Sequence, residues 1–391
     1  MPKSEEQYKL LSDWEGRIKH LLVSLDSPDL SYADVNKRFG NLLRAFDDRS
    51  PLITVLSPTP VVIPKELRDK PVGPRLCIVD MSAVGANSSG LTTWVQDQLA
   101  VSRNVATGHI RLIDSAADQD MGGAISESAF VAHVAAQYEY NYQTVEHKIT
   151  GGEILCGGDY VLCGDDLLPG AEGGRARMHY DARVRAGSAL RRTLGVNHIL
   201  WVDQLMRRGR QAYDELRKSA IQGGFGHVDM LTTLGGPVDG KPETHLVFVA
   251  QMCREYCAPA QYATQNEVFS KAHVLDFIAE ELAKTACGDI NFEVERVPMF
   301  VHAHPKGIRF NSFNNALVEV EGDDRRVYLP DYVENPGMEN CMDIYLRTRE
   351  HVQRVYTSRG FDVRFIAGHF PANLGKRGAL RCATKVLDRT I

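Results

Sequence analysis

The sequence predicts a mixed α/β protein. Short β-branched runs alternate with stretches of helical periodicity, Gly-rich turns separate them, and apolar residues make up 43% of the 391 positions. That share is ordinary for a globular chain, so a sizeable core can be buried. The length is large for one ordinary domain but within reach of a closed array of α/β units. No strict repeat, low-complexity tract or long linker divides it.

Residues 5 to 47 read as helical, because Tyr8, Leu11, Trp14, Ile18, Leu21 and Leu22 recur at helical spacing. Ser27-Pro28-Asp29 breaks this stretch into two helices. The expected organisation is a short N-terminal helical extension over 1–50 and one α/β domain over 51–391. Strands are predicted at Leu76–Asp80, Ile110–Ile113, Tyr160–Cys163, His198–Val202, His245–Val249, Asn315–Val320, Arg326–Leu329 and Val363–Ile366. Helices are predicted at Asp181–Leu194, Asn266–Ala286 and Met338–Arg359. The Gly-rich stretch from Gly151 to Gly174 has the spacing of successive turns. It lacks the strand, glycine fingerprint and helix order of a dinucleotide or nucleoside-triphosphate site.

Several function classes are disfavoured. The net charge of −5 argues against a dedicated nucleic-acid binder, and the basic stretches Arg175 to Arg192 and Arg207 to Arg210 read as solvated surface. No apolar run approaches the roughly 20 residues that span a bilayer. Met1-Pro2-Lys3-Ser4-Glu5-Glu6 lacks the basic start and apolar stretch of a secretory signal. The eight cysteines are scattered, unlike a disulfide framework. Cys253 with Cys257, and Cys156 with Cys163, lack the further Cys or His partners of a structural zinc site. The expectation is a reduced, cytoplasmic protein with no metal, no cofactor, no nucleic acid and no membrane partner.

Three distant segments carry reactive groups. They are Trp94-Val95-Gln96-Asp97, Gly226-His227-Val228-Asp229 and Gly378-Ala379-Leu380-Arg381-Cys382. A thiolate can attack an electrophilic carbon, an imidazole can shuttle protons, and two carboxylates can hold a planar cation by paired hydrogen bonds. Those are the requirements for hydrolysing a guanidinium group, whose carbon resonance deactivates. Carboxylates beside the cysteine should raise its pKa and a bound cation should lower it again. Each element also has an ordinary structural reading: a packed cysteine, a surface His-x-Asp pair on one strand face, a core tryptophan at an element end.

Taken together, the segments resemble the catalytic domain of the peptidylarginine deiminases, in the guanidino-group-modifying (pentein) superfamily. The likeness runs from about Trp94 to the C-terminus. Trp94-Val95-Gln96-Asp97 matches that family's Trp-x-Gln-Asp motif, Gly226-His227-Val228-Asp229 its Gly-His-Val-Asp motif, and Cys382 its nucleophile near the C-terminus. Arg296-Val297-Pro298-Met299-Phe300, Asn311-Ser312-Phe313-Asn314 and Val327-Tyr328-Leu329-Pro330 agree in order. The resemblance implies a five-bladed ββαβ propeller (pentein ring) with the catalytic groups in its central cavity. It also implies conversion of arginine residues in peptides or proteins to citrulline with release of ammonia. Cys382 would be nucleophile, His227 proton shuttle, and Asp97 and Asp229 the guanidinium clamp.

Departures from the family qualify the substrate. Where the animal enzymes place calcium-binding acids, this chain has Gln98-Leu99-Ala100-Val101, which predicts calcium-independent activity. Arg381, before the nucleophile, is a residue type associated with the free-arginine branch, and Ala383 replaces the family's glycine. Trp94, Gln96, Asn314, Arg381 and Glu153 are further candidates for substrate contact. Two alternatives stand beside the leading one. One is a deiminase or amidinotransferase for free arginine, agmatine or another small guanidine, with Arg381 meeting a substrate carboxylate. The other is a non-catalytic binding protein of the same fold. The N-terminal helices would cover one face of the ring or mediate a homodimer.

Overall fold

The computed structural model describes residues 7–24, 40–57, 73–82, 95–115, 127–164, 167, 180–202, 227–258, 262–304, 307–335, 338–367 and 379–390. Strands β1 (Tyr8–Leu10) and β2 (Ile18–Ser24) open the chain, followed by a helical segment at 40–45, β3 (Leu52–Ser57) and β4 (Arg75–Asp80). Next come β5 (Ala100–Asn104), β6 (Ile110–Ser115), α1 (Glu127–Gln137) and β7 (Asn141–Val145). Then follow β8 (Ile154–Cys156), β9 (Tyr160–Cys163), α2 (Tyr180–Leu194) and β10 (His198–Trp201). The fourth group is β11 (Thr232–Val238), β12 (Lys241–Gln251), α3 (Tyr262–Leu282), β13 (Ala286–Cys287) and β14 (Ile290–Pro298). A hairpin of β15 (Phe300–His304) and β16 (Gly307–Asn311) precedes β17 (Leu317–Glu321), β18 (Asp324–Asp331), α4 (Met342–Thr357) and β19 (Asp362–Ala367). Strand β20 (Thr384–Arg389) ends the series.

One pattern recurs: an antiparallel strand pair, a helix, and a third strand parallel to the second. It holds for β5–β6–β7, β8–β9–β10, β11–β12–β14 and β17–β18–β19. It holds again for β20–β2–β3, with the helical segment at 40–45 between β2 and β3. Parallel neighbours cannot be joined by a tight turn, so each such pair carries a helical crossover. The helices cover the sheets with apolar faces. In α4 the buried residues Tyr345, Thr348, Val352 and Tyr356 fall at helical spacing along one side.

The helical extension expected over 1–50 is corrected for its first half. Residues Tyr8–Leu10 and Ile18–Ser24 are strands, and β2 lies inside a sheet between β20 and β3. Leu21, Leu22 and Val23 are all fully buried. A strand covered on both faces reads as a near-continuous apolar run, which mimics helical spacing over one or two turns. Gly16 interrupts any helix there with φ +74°, and a Cβ on it would strike Thr390 O at 1.9 Å. The remainder, 40–45, is helical. All eight strand segments read from the sequence overlap observed strands. The helix predicted at Asn266–Ala286 instead spans Tyr262–Leu282, and Ala286 opens β13. No helix among the described residues is long and apolar enough to cross a membrane.

The recurring pattern also positions the reactive groups. Asp97 lies in the 3-10 turn Val95–Gln98 before β5, and Gly152 in the turn Gly151–Glu153 before β8. His227 and Asp229 flank the start of the turn Val228–Met230 before β11. Asn315 precedes β17, and Cys382 sits in the turn leading into β20. Each module thus presents the entry to its first strand at a common place.

Candidate active site

Cys382 is 4% exposed, and the side chain of Asn315 contacts it at two points. The backbone N–H of Cys382 donates to Asn315 Oδ1 at 3.1 Å. A backbone N–H can only donate, so the amide orientation is fixed and Nδ2 faces the sulfur. It donates to Sγ at 3.0 Å. On another side Sγ lies 3.5 Å from Asp229 Oδ2 and 3.8 Å from Oδ1. Burial pushes the Cys382 thiol well above its ordinary range, and the charges of Asp229 and Asp97 push it further. The Ala379 backbone and the Asn315 amide pull it back in part.

His227 caps the 3-10 turn in an extended conformation rather than lying on a strand, so His227 and Asp229 do not share a strand face. The imidazole turns to Asp97, with Nδ1 3.3 Å from Oδ1. Asp229 turns inward, where it is fully buried against Cys382 and Arg381. Even so, the reactive atoms of His227, Asp229 and Cys382 all lie within 4.8 Å of one another. Gly152 closes the gap between the imidazole and Asp97, to whose Oδ1 its N–H donates at 3.0 Å. A Cβ there would meet His227 Nδ1 at 2.2 Å and Asp97 Oδ1 at 2.8 Å, so only glycine fits. Enclosure raises the Asp97 carboxyl's pKa; His227 opposes the rise and Asp229 adds to it.

Arg381 does not offer a cation to a substrate carboxylate. Nε and Nη2 both donate to Asp13 Oδ1, Nη1 to Asp229 Oδ2 at 2.9 Å and to Gly151 O, and Nη2 also to Ile154 O. All five guanidinium hydrogens are spent. Burial works against the charge, but Asp13 and Asp229 together outweigh it and hold the pKa up. Asn314 spends both Nδ2 hydrogens on Leu231 O and Phe248 O, while its Oδ1 is buried with no hydrogen-bond partner among the described residues. Gln96 donates to Gly151 O from its amide, and its backbone N–H reaches Cys382 O at 3.3 Å. Glu153 is 3% exposed and packs against Gly164, whose added Cβ would lie 1.4 Å from Oε2. Trp94 lies outside the described residues.

Three contributors are absent from the sequence reading. Asn315 stands one residue past Asn314, and its neighbour in the Asn-x-x-Asn stretch was the only signal. Asp13, which anchors Arg381, lies in a segment that reads as helix and gives none. Gly152 sits in a glycine pair that looks like any turn. His227, Asp229 and Cys382 form a three-donor set of the type that zinc takes. Asp229 Oδ2 already faces a guanidinium and Sγ already accepts from Asn315, so a metal would have to displace both hydrogen bonds.

No model of a known protein family matches the sequence, and no curated protein does. Solved structures match over nearly the whole chain. An agmatine deiminase of C. jejuni is 13% identical, with a TM-score of 0.59 over 97% of this chain and 95% of that one. A Porphyromonas gingivalis protein assigned as an arginine deiminase is 15% identical, with a TM-score of 0.61 over 97% of each. An agmatine deiminase of Enterococcus faecalis is 14% identical, with a TM-score of 0.58 over 100% and 99%. The likeness is one of fold: this chain has the α/β fold of these deiminases, and the peptidylarginine branch is not singled out.

Proposed function

We propose that the chain is a cysteine hydrolase that releases ammonia from the guanidino group of a small molecule. The observation that carries this is the meeting of Cys382, His227 and Asp229 within 4.8 Å, with Asp97 beside the imidazole. Sγ attacks the guanidinium carbon and ammonia leaves with a proton from His227, giving an S-alkylthiouronium adduct. Water then adds, His227 takes its proton, and the carbon–sulfur bond breaks to leave a ureido product and free thiol. Asp97 Oδ1 orients the imidazole, which leaves its second oxygen for the substrate. Asp229 spends Oδ2 on Arg381 and has Oδ1 for a guanidinium N–H.

The resting site suits a cationic substrate. Burial first, and then the charges of Asp229 and Asp97, hold the thiol above its ordinary range in the free protein, so an arriving guanidinium offsets the two carboxylates and lowers the thiol's pKa. Substrate thereby assists the ionisation of its own nucleophile. A small guanidine is favoured over a peptidyl arginine because more of the matching solved structures are named for agmatine or arginine than for peptidyl arginine. The full use of Arg381 inside the protein removes the cation first matched to a free-arginine carboxylate, which turns the preference toward agmatine-like substrates.

The test is a panel of agmatine, free arginine and an arginine-containing peptide, scored for ammonia and ureido product. Turnover is expected for the small amine and not for the peptide, and Cys382→Ser should abolish it. Faster turnover of the peptide would restore the protein-arginine assignment. Undiminished turnover by Cys382→Ser would end the cysteine mechanism.

A further inference from the structure

Behind Arg381, on its Asp13 side, lies a small chamber that offers about 40 Å³ to the centre of a water-sized sphere. Since one water needs roughly 10–15 Å³ on that measure, it holds a few waters or one small ion. Its polar lining includes Ser12, Asp13, Gln96, Arg381, Lys385 and Arg389. Three of these are cations and one is a carboxylate. Arg381 is neutralised by direct bonds to Asp13 and Asp229. Asp13 in turn is used up, with Oδ1 on Arg381 and Oδ2 accepting from the Cys156 N–H at 2.6 Å.

Lys385 and Arg389 have no such partner. Lys385 is 9% exposed, and its Nζ makes no hydrogen bond or ion pair among the described residues. Arg389 is 1% exposed; its Nη atoms donate to Gly16 O, Val318 O and Asp13 O, while Nε is buried with no acceptor among the described residues. Asp13 acts on both cations across the chamber, with Asp97 and Asp229 also acting on Lys385 and Glu319 and Glu15 on Arg389, but none of these carboxylates forms an ion pair with either side chain among the described residues. Glu319 is already bonded to Ile18 N and Tyr328 Oη. Two buried cations with open donors line one small polar cavity, and leaving such charges unpaired is costly.

We infer that this chamber binds a small monovalent anion of halide size, held by Lys385 Nζ and Arg389 Nε. The site is separate from the proposed chemistry, because none of Cys382, His227, Asp97 and Asp229 lines the chamber, while Arg381, which does, bonds to Asp229. Its charge sense follows from the lining, in which three cations face one carboxylate whose two oxygens are already bonded. Burial, aided by Arg381, draws the Lys385 ammonium down to about 8, and an adjacent anion offsets both effects. The size favours a halide over a tetrahedral oxyanion.

Crystals of the full chain soaked in bromide provide the direct test. An anomalous bromine peak in contact with Lys385 Nζ and Arg389 Nε is expected; density for water alone, without bromine signal, overturns the inference. In solution, melting temperature is followed against chloride at constant ionic strength, with sulfate as balancing salt. A saturable rise of about 2 °C at tenfold excess over half-saturation is expected. Lys385→Met should abolish the chloride dependence while folding at least as well in low salt. A rise that never saturates, or that persists in Lys385→Met, sinks the proposal. A bromine peak without any saturable effect in solution marks binding at crystal concentration only and overturns it as well. Should Lys385→Met fail to fold, Lys385→Gln takes its place.

Discussion

Asn315→Ala removes the one side chain among the described residues that bonds to Cys382 at both its backbone and its sulfur. Nδ2 donates to Sγ at 3.0 Å and Oδ1 accepts from Cys382 N–H at 3.1 Å. A hydrogen bond to a charged acceptor contributes about 1.5–3 kcal/mol, and each pKa unit corresponds to about 1.4 kcal/mol. Loss of the Nδ2 donor should therefore raise the thiol pKa by roughly one to two units. The thiolate present at a fixed pH below the midpoint then falls about 10- to 100-fold. The assay is the pH profile of Cys382 alkylation by iodoacetamide, with Cys382→Ser as the blank for the other cysteines. Loss of the Oδ1 acceptor also leaves a buried N–H unpaired, at a cost of about 1–3 kcal/mol in stability. A purely structural role for Asn315 lowers the melting temperature without moving the alkylation midpoint. An unmoved midpoint in a folded variant refutes the thiolate-holding role.

Other outcomes follow from the same contacts. Because the folded thiol titrates above its ordinary value of 9.0, the folded state keeps a proton that the unfolded chain gives up. Stability should thus decline as pH rises above that value, less steeply in Cys382→Ser, as thermal melts across alkaline pH would reveal. Gly152→Ala drives a Cβ to 2.2 Å from His227 Nδ1 and should cost about 100-fold in turnover while circular dichroism stays unchanged. Arg381→Met strands Asp13 and Asp229 without their shared cation; urea unfolding should register a loss of about 3–5 kcal/mol. Chelating calcium should leave turnover unaltered, whereas added zinc should inhibit through His227, Asp229 and Cys382, and a chelator should reverse it.

The order of strands and helices was legible because alternating elements leave a strong local imprint, down to Tyr160–Cys163 and Leu76–Asp80. The N-terminal strands were hidden for a physical reason. Leu21, Leu22 and Val23 are buried on both faces, so nothing alternates. The reactive residues were legible as motifs, but their directions were not. A His-x-Asp pair on a strand would point one way, whereas the 3-10 turn at Val228–Met230 sends His227 to Asp97 and Asp229 to Arg381. A shift of one position separates Asn314, which satisfies carbonyls, from Asn315, which holds Cys382. Arg381 invites a substrate-binding role until its five hydrogens are traced to acceptors far apart in the chain.

Those acceptors explain why the N-terminal residues are integral to the site. Asp13 comes from the loop between β1 and β2 and meets Arg381 at 2.9 Å, 368 residues later. Arg381 then meets Asp229 at 2.9 Å, and Asp229 lies 3.5 Å from Cys382 Sγ. A single guanidinium thus shares its charge between a carboxylate that anchors the fold and one that faces the thiol. Were Arg381 to neutralise Asp229 completely, the site would have little pull on a second cation. Because Asp13 takes two of its five hydrogens, Asp229 retains negative character at Oδ1, beside the sulfur. The same strand pairing that joins β2 to β20 therefore holds both the turn that carries Cys382 and the counter-charge that tunes the carboxylate next to it.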